Sequence, residues 1–256
     1  MAQEKSVCTI CGGSGFRIVE RNGLEGAERC DCALSGRPER LLGAANIPPL
    51  YRNASFENFN TRPDNPIANR SLQHAASAAR KYADDFPILT RKKGLLFIGD
   101  PGTGKTHLAV SVIKRLIARG FEAVFFDYQN LLERIRSSYD AASGTAHREA
   151  YRIALECEVL VLDDLGAHRV SDWVEDTITS IITHRCNHDR ALIATTNLRD
   201  QEAGDSPIPA GVAGDTASRY YLTERIGTRA RSRLFEMCTP VSTRGVDDYR
   251  KLKGSR

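Results

Sequence analysis

Residues 94–120 read GLLFIGDPGTGKTHLAVSVIKRLIARG, an apolar run, a glycine-rich turn and an amphipathic stretch in direct succession. The run is short and unalternating, as a strand buried on both faces is, and the final stretch repeats its apolar positions at helical spacing. Between them lies Gly99-x-x-x-x-Gly104-Lys105-Thr106. Glycines let backbone N–H groups close around phosphate oxygens, and the following helix presents its positive end. The predicted cradle comprises Gly99, Asp100, Pro101, Gly102, Thr103 and Gly104, with Lys105, Thr106 and His107 opening the helix. Lys105 is expected to reach the terminal phosphates of a nucleotide, and Thr106 to offer its hydroxyl to magnesium.

Further apolar runs, EAVFFDY, VLVLD and ALIATT, are separated by helical patterns, which predicts an α/β sandwich on a parallel sheet. VLVLDDLG ends in Asp163 and Asp164. Parallel sheets gather ligands at the carboxyl ends of their strands. Asp163 is therefore expected to hold the magnesium shell and Asp164 to orient or deprotonate an attacking water. On the next strand Asn197 is placed to contact that water or the γ-phosphate.

The remaining chain bounds the answer. At 256 residues with 41% hydrophobic content, one substantial core with a small appendage is expected. A formal charge of +4 permits nucleic-acid contact without requiring it. The N-terminus lacks a signal-peptide core and no run is long enough to span a bilayer, so a soluble cytoplasmic protein is expected. The organisation predicted is a cysteine-bearing head over 1–36, a connecting arm and helix over 37–90, and the nucleotide-binding core over 91–256. The Gly-, Pro- and Asp-rich stretch between Arg199 and Tyr220 is expected to be a mobile surface loop.

Two segments need a partner to explain them. In the head, Cys8-x-x-Cys11 and Cys30-x-Cys32 offer four thiolates in tight pairs separated by 18 residues. Structural zinc is the favoured reading, because a four-sulfur site would staple a segment too poor in apolar residues to fold alone. An iron–sulfur cluster is the rival. Cys157, Cys186 and Cys238 sit beside apolar residues and read as packing. In YLTERIGTRARSRLFEM, apolar Ile226, Ala230, Leu234 and Met237 recur at helical spacing, with Arg225, Arg229 and Arg233 in a neighbouring stripe. Like charges four residues apart repel by a few tenths of a kcal/mol, so the stripe faces water or meets an anion.

Cradle, paired acids, strand-terminal Asn and arginine helix, in this order, resemble the AAA+ ATPases, and within them the bacterial DnaC/DnaI-type replicative helicase loaders of the IstB/DnaC-like group. GDPGTGKTHLAVSVIK, LVLDDLGAHRVSDWVEDTI, IATTN, ERIGTRARSRLFEM and DDYR carry the likeness across most of residues 47–250. The resemblance implies ATP with Mg2+, an ATPase that is slow and stimulated by DNA, and self-assembly into an ATP-dependent oligomer or spiral. A DnaB-type replicative helicase and single-stranded DNA are the implied partners, with no membrane. It also implies that Arg233, with Arg229 as second candidate, enters a neighbour's ATP site as a finger. Guanidinium suits that task because it stays charged and binds two phosphate oxygens at once. Arg250 resembles the family's late arginine, with a second-sensor role within its own subunit. Asp164 departs from the Glu common across AAA+ enzymes, and its shorter arm is expected to slow turnover.

Some readings stay open. DNA contact is placed on DYQNLLERIRSSYDAASGTAHR, where Arg134, Arg136, Tyr128 and Tyr139 would track phosphates or stack on bases. The head is the candidate helicase-docking element. Rival functions are an IstB-type transposase helper on the same core, and a nucleotide-gated adaptor with little turnover.

Overall fold

The structure is a computed structural model that describes residues 9–11, 14, 16–21, 24–29, 36–88, 92–137, 146–168, 170–200 and 221–250. The order begins with strands β1 (Phe16–Arg21) and β2 (Leu24–Arg29), helix α1 (Arg37–Ala44), a 3-10 turn (Pro49–Tyr51) and α2 (Pro66–Asp85). It continues through β3 (Gly94–Ile98), α3 (Lys105–Ala118), β4 (Ala123–Asp127), α4 (Tyr128–Ser137), α5 (Ala146–Glu156) and β5 (Val159–Asp163). Helix α6 (Asp172–Asn187), β6 (Ala191–Thr196), α7 (Leu222–Met237) and β7 (Cys238–Ser242) complete it.

Five strands form one parallel sheet in the order β4-β5-β6-β3-β7. The four apolar runs read from the sequence are β3 to β6. Strand β7 gave no such signal because it carries Pro240, which lacks a backbone N–H and is tolerated at the sheet edge where β7 lies. Alternate side chains feed two cores. Leu96, Val124, Leu160, Leu162 and Ala194 pack with α4 to α7, while Leu95, Phe97, Phe125, Val161 and Ile193 pack with α2 and α3. Both faces being covered is why the strands read as continuous apolar runs.

The arm is bound to this core by named contacts. Ala45, Ala54 and Phe56 are buried in the same cluster as α3, and the Ala45 carbonyl accepts from the Phe125 N–H at 2.8 Å. Lys114 donates to the carbonyls of Arg52 and Ala54 at 2.8 and 3.0 Å. Helix α2 starts at Pro66 because Asn65 accepts from the N–H groups of Ile67 and Ala68.

The 18-residue spacer in the head contains the hairpin β1–β2, in which Phe16 pairs with Arg29. Cys8, Cys30 and Cys32 lie outside the described residues, as do 201–220 and Tyr139. Cys11 is half-buried in the turn before β1. Cys157 and Cys238 are buried and Cys186 packs against the core, as expected. Among the described residues no helix is long and apolar enough to cross a membrane.

Candidate functional site

The strand order sets the ends of β5, β6 and β3 side by side. Asp127 faces Asp163 in register, and Thr196 faces Ile98, the residue before the glycine turn. Everything that leaves the carboxyl edge of these strands therefore converges on one crevice.

Gly99 leaves β3 with its N–H on the Thr196 carbonyl at 3.2 Å. Gly102 and Gly104 have φ of +73° and +88°, left-handed values that favour glycine. A Cβ on Gly102 would lie 1.7 Å from Asp248 Oδ1, and one on Gly104 would lie 2.6 Å from the Phe59 ring. Thr103, buried, donates to the Asp100 carbonyl at 2.9 Å and shares a 2.8 Å hydroxyl contact with Thr243. Asp100 is exposed, and Pro101 is half-buried at the turn. No side chain caps the first turn of α3, so its leading N–H groups stay available to an anion.

Lys105 is buried, and its ammonium donates to the Asp100 carbonyl at 2.8 Å. Burial pushes its pKa down to about 8, with Asp164, Asp163 and Asp100 opposing the fall. Thr106 donates to both oxygens of Asp163, at 2.9 and 3.1 Å. The buried Asp163 carboxyl is pushed up to about 6, first by burial and then, against the Thr195 hydrogen bond, by the Asp164 charge. Asp164 sits at φ +54° on the turn after β5, and its carboxylate accepts from the Asn197 amide at 3.2 Å. His107 turns to the arm instead, with Nε2 2.8 Å from the Ser55 carbonyl oxygen and its ring 5.4 Å from that of Phe59.

These residues fit a magnesium–nucleotide. The Lys105 ammonium spends its hydrogen bond on a carbonyl and its pKa stays depressed by burial despite the nearby acids, and the buried Asp163 carboxyl is raised to about 6, so an anion at the first and a cation at the second would both be stabilising. Thr106 and Asp163, already in contact, are the pair that would hold the metal.

Three contributors were missed in the sequence. Thr195 donates to Asp163 Oδ1 at 2.7 Å and accepts from the Asp164 N–H at 3.0 Å, so one hydroxyl fixes both acids. Its signal was the Thr-Thr before Asn197. Burial raises the phenol of Tyr51, on the 3-10 turn of the arm, which lies near enough to sense Thr106 and the charges of Asp163 and Asp164. Tyr249, beside the predicted Arg250, also lies on the cradle, with its N–H on the Gly102 carbonyl at 3.1 Å. Neither contact has a local sequence signal. Arg250 is exposed, and its Nε and backbone N–H both donate to Asp248 Oδ1, at 3.2 and 2.9 Å.

The arginine helix departs from its expected form. Ile226, Ala230, Leu234 and Met237 are buried as predicted. Gly227, however, has φ 79° and ψ 159°, and a Cβ there would lie 2.2 Å from Glu175 Oε1, so α7 is two helical pieces with a break. Arg225 falls on the first piece and donates to the His168 carbonyl at 3.4 Å, which removes it from the predicted stripe. Arg229 and Arg233 are exposed on the second piece, Arg233 pairing with Glu236 at 2.7 Å. Arg231 donates through Nε and Nη2 to the two oxygens of Asp200, both at 2.7 Å.

The DNA-contact expectation also needs correction. Tyr128 has no exposed surface because α4 packs it into the core, so it cannot stack on a base. Arg134 and Arg136 are exposed on the same helix.

A family model described as "IstB-like ATP binding protein" matches residues 35–205. The chain is 30% identical over 162 residues to the uncharacterized protein YdaV of Escherichia coli (strain K12), covering 63% of this chain and 61% of that one. It is 26% identical over 164 residues to the replicative helicase loader DnaC of Escherichia coli (strain K12), covering 64% and 63% respectively. These matches thus span under two thirds of the relatives' length. A crystal structure of the DnaC helicase loader superposes with a TM-score of 0.59 at 32% identity, covering 76% of this chain and 99% of that one.

Proposed function

Because the chain belongs to the IstB-like ATP-binding family, with the α/β fold of the DnaC-type AAA+ loaders, we propose that it hydrolyses ATP to ADP and phosphate while loading a DnaB-type helicase onto single-stranded DNA. The observation that carries this reading is the convergence of Lys105, Thr106, Asp163, Thr195, Asp164 and Asn197 on one crevice. Lys105 and the open N–H groups of α3 bind the phosphates. Thr106 and Asp163 hold Mg2+, which when bound neutralises charge on the phosphoryl oxygens. Asp164 takes the proton of the attacking water, and Asn197 orients that carboxylate. Arg233, with Arg229 beside it, enters the next subunit's site and meets the charge that develops on the γ-phosphoryl. Arg250 serves as a second sensor to its own nucleotide.

The cysteine head binds one zinc and docks the helicase. Hairpin β1–β2 supports this reading, since the chain enters it at Phe16 and leaves at Arg29 side by side, and the two cysteine pairs flank those ends in sequence. Elemental analysis is expected to give one zinc per chain, lost when Cys8, Cys11, Cys30 and Cys32 are replaced. Iron in that analysis would exchange the assignment for a cluster.

The test of the composite site mixes two inactive proteins. Lys105→Ala keeps a working finger, Arg229→Ala/Arg233→Ala keeps a working cradle, and ATP hydrolysis is expected to return on mixing. A mixture that stays inactive removes the trans finger. The second reading is the IstB-type transposase helper, since the matching family model is described as IstB-like. Recovery of a transposase rather than a helicase in a pulldown would establish it.

A further inference from the structure

We infer that the Asp200–Arg231 ion pair is a positioning device that links each subunit's own nucleotide site to the arginines it offers its neighbour. The inference rests on the trans-finger reading above. Asp200 follows Asn197 by three residues, and its side chain is 1% exposed against 12% for Arg231. Both guanidinium contacts are 2.7 Å, a two-pronged geometry that fixes direction as well as distance. The Arg231 guanidinium also lies 4.6 Å from the Phe235 ring centroid, held between carboxylate and ring.

Helical geometry gives this contact its meaning. Residues two apart on a helix point about 200° apart, and residues four apart only about 40° apart. Arg229 and Arg233 therefore share one side, and Arg231 points to the other. Asp200 grips the helix from within its own subunit, leaving the two exposed arginines turned outward. Gly227 breaks α7, so the second piece takes its direction from its own contacts, the burial of Ala230, Leu234 and Met237 together with this ion pair.

The other end of the link is the site itself. Asn197 touches Asp164, and the next residue, Leu198, is tied by its N–H to the Thr196 hydroxyl, which in turn donates to the Leu165 carbonyl. Arg199 accepts from the Leu222 N–H at 2.8 Å and pairs with Tyr221. A displacement of Asn197 on nucleotide binding thus reaches Asp200 through two intervening residues, and from there the finger-bearing helix.

The experiment uses Asp200→Asn in full-length chains, scored by ATP hydrolysis in mixtures. If Asp200 positions the finger, this subunit keeps a working cradle and loses a working finger. Mixed with Lys105→Ala it is expected to regain activity. Mixed with Arg229→Ala/Arg233→Ala it is expected to stay about 10²-fold below the Lys105→Ala plus Arg229→Ala/Arg233→Ala control, the scale of loss for a misplaced group. Arg231→Lys, keeping charge without the fork, is expected to fall between. Activity at control level in the second mixture overturns the inference, and so does failure of the first, which would make Asp200 a general structural residue. Failure of the control mixture itself would instead remove the trans finger and the inference with it.

Discussion

Asn197 donates its side-chain amide to Asp164 Oδ1 at 3.2 Å, while the adjacent Asp163 turns away to the hydroxyls of Thr106 and Thr195. The two neighbouring carboxylates thus have separate side-chain partners, although the Thr195 hydroxyl also accepts from the Asp164 N–H. Asp163→Asn is expected to weaken magnesium-dependent nucleotide binding. Asp164→Asn is expected to leave binding in place and slow single-turnover hydrolysis by about 10²-fold or more, the scale of a lost general base. Equal loss of binding in both variants, measured by titration with and without magnesium, would contradict the division of labour.

Lys105 gives a pH dependence. Its ammonium, with pKa pushed down to about 8, must be charged to hold phosphate. Magnesium-dependent nucleotide affinity is expected to be flat between about pH 6 and 8, to fall below that interval as Asp163 protonates and to fall above it as Lys105 loses its charge, and Lys105→Met should bind weakly without the alkaline fall. The stability effect has the opposite sign. The folded pKa lies below the ordinary lysine value of 10.5, so the unfolded chain holds more protons between about 8 and 10.5. The burden of this buried charge is full below about pH 8 and is relieved as pH rises through that interval in the nucleotide-free protein.

The cradle, the paired acids and four of the five core strands were legible because each is local, a run of apolar residues ended by glycine or acid. What escaped was long-range or masked by a continuing pattern. Gly227 interrupts α7 without disturbing the spacing of Ile226, Ala230 and Leu234, so periodicity ran straight through the break. Asp200 and Arg231 are 31 residues apart, and nothing near either names the other. Tyr51 comes near Thr106 and the paired acids only because the arm folds onto α3, and Tyr128 looked available for stacking because a tyrosine after a strand carries no mark of burial.

Gly102 and Gly104 are predicted to tolerate no side chain. Both have left-handed φ, which costs a non-glycine residue about 1–2 kcal/mol. The added methyl would also displace Asp248 or Phe59. Gly102→Ala and Gly104→Ala are each expected to weaken nucleotide binding at least about tenfold, roughly 1.4 kcal/mol. Wild-type affinity in calorimetric titration would show that the turn relaxes freely.

Tyr128→Phe tests the corrected DNA contact. The Tyr128 hydroxyl is buried with no hydrogen-bond partner among the described residues. Removing an unsatisfied buried hydroxyl relieves a desolvation penalty of about 1–3 kcal/mol, so Tm is expected to hold or rise. Binding of single-stranded DNA should be unchanged. A selective loss of DNA binding would restore Tyr128 to the surface.

Arg185 offers the sharpest separation of stability from activity. It has no exposed surface, and its guanidinium donates to the carbonyls of Ala154, Leu155, Cys157, Glu158 and Ala191. These groups end α5 and lead into β5 and β6, so one side chain closes the amino edge of the sheet, opposite the carboxyl edge that carries the site. The oxygens at the end of α5 also bear the negative end of that helix, which suits a cation there. Arg185→Met fills the space but strands the carbonyls, and a cost of about 1–3 kcal/mol is expected, the range for leaving a buried polar group unsatisfied. Arg185→Lys keeps the charge, yet three donors from one nitrogen cannot replace the spread of the fork, so an intermediate loss is expected. Denaturant unfolding measures both. Nucleotide affinity of the folded fraction should stay at the wild-type value in each variant, since no ligand of the cradle is touched. An unchanged Tm for Arg185→Met would mean that water serves those carbonyls equally well. A fall in affinity without a fall in Tm would mean that the two edges of the sheet are coupled.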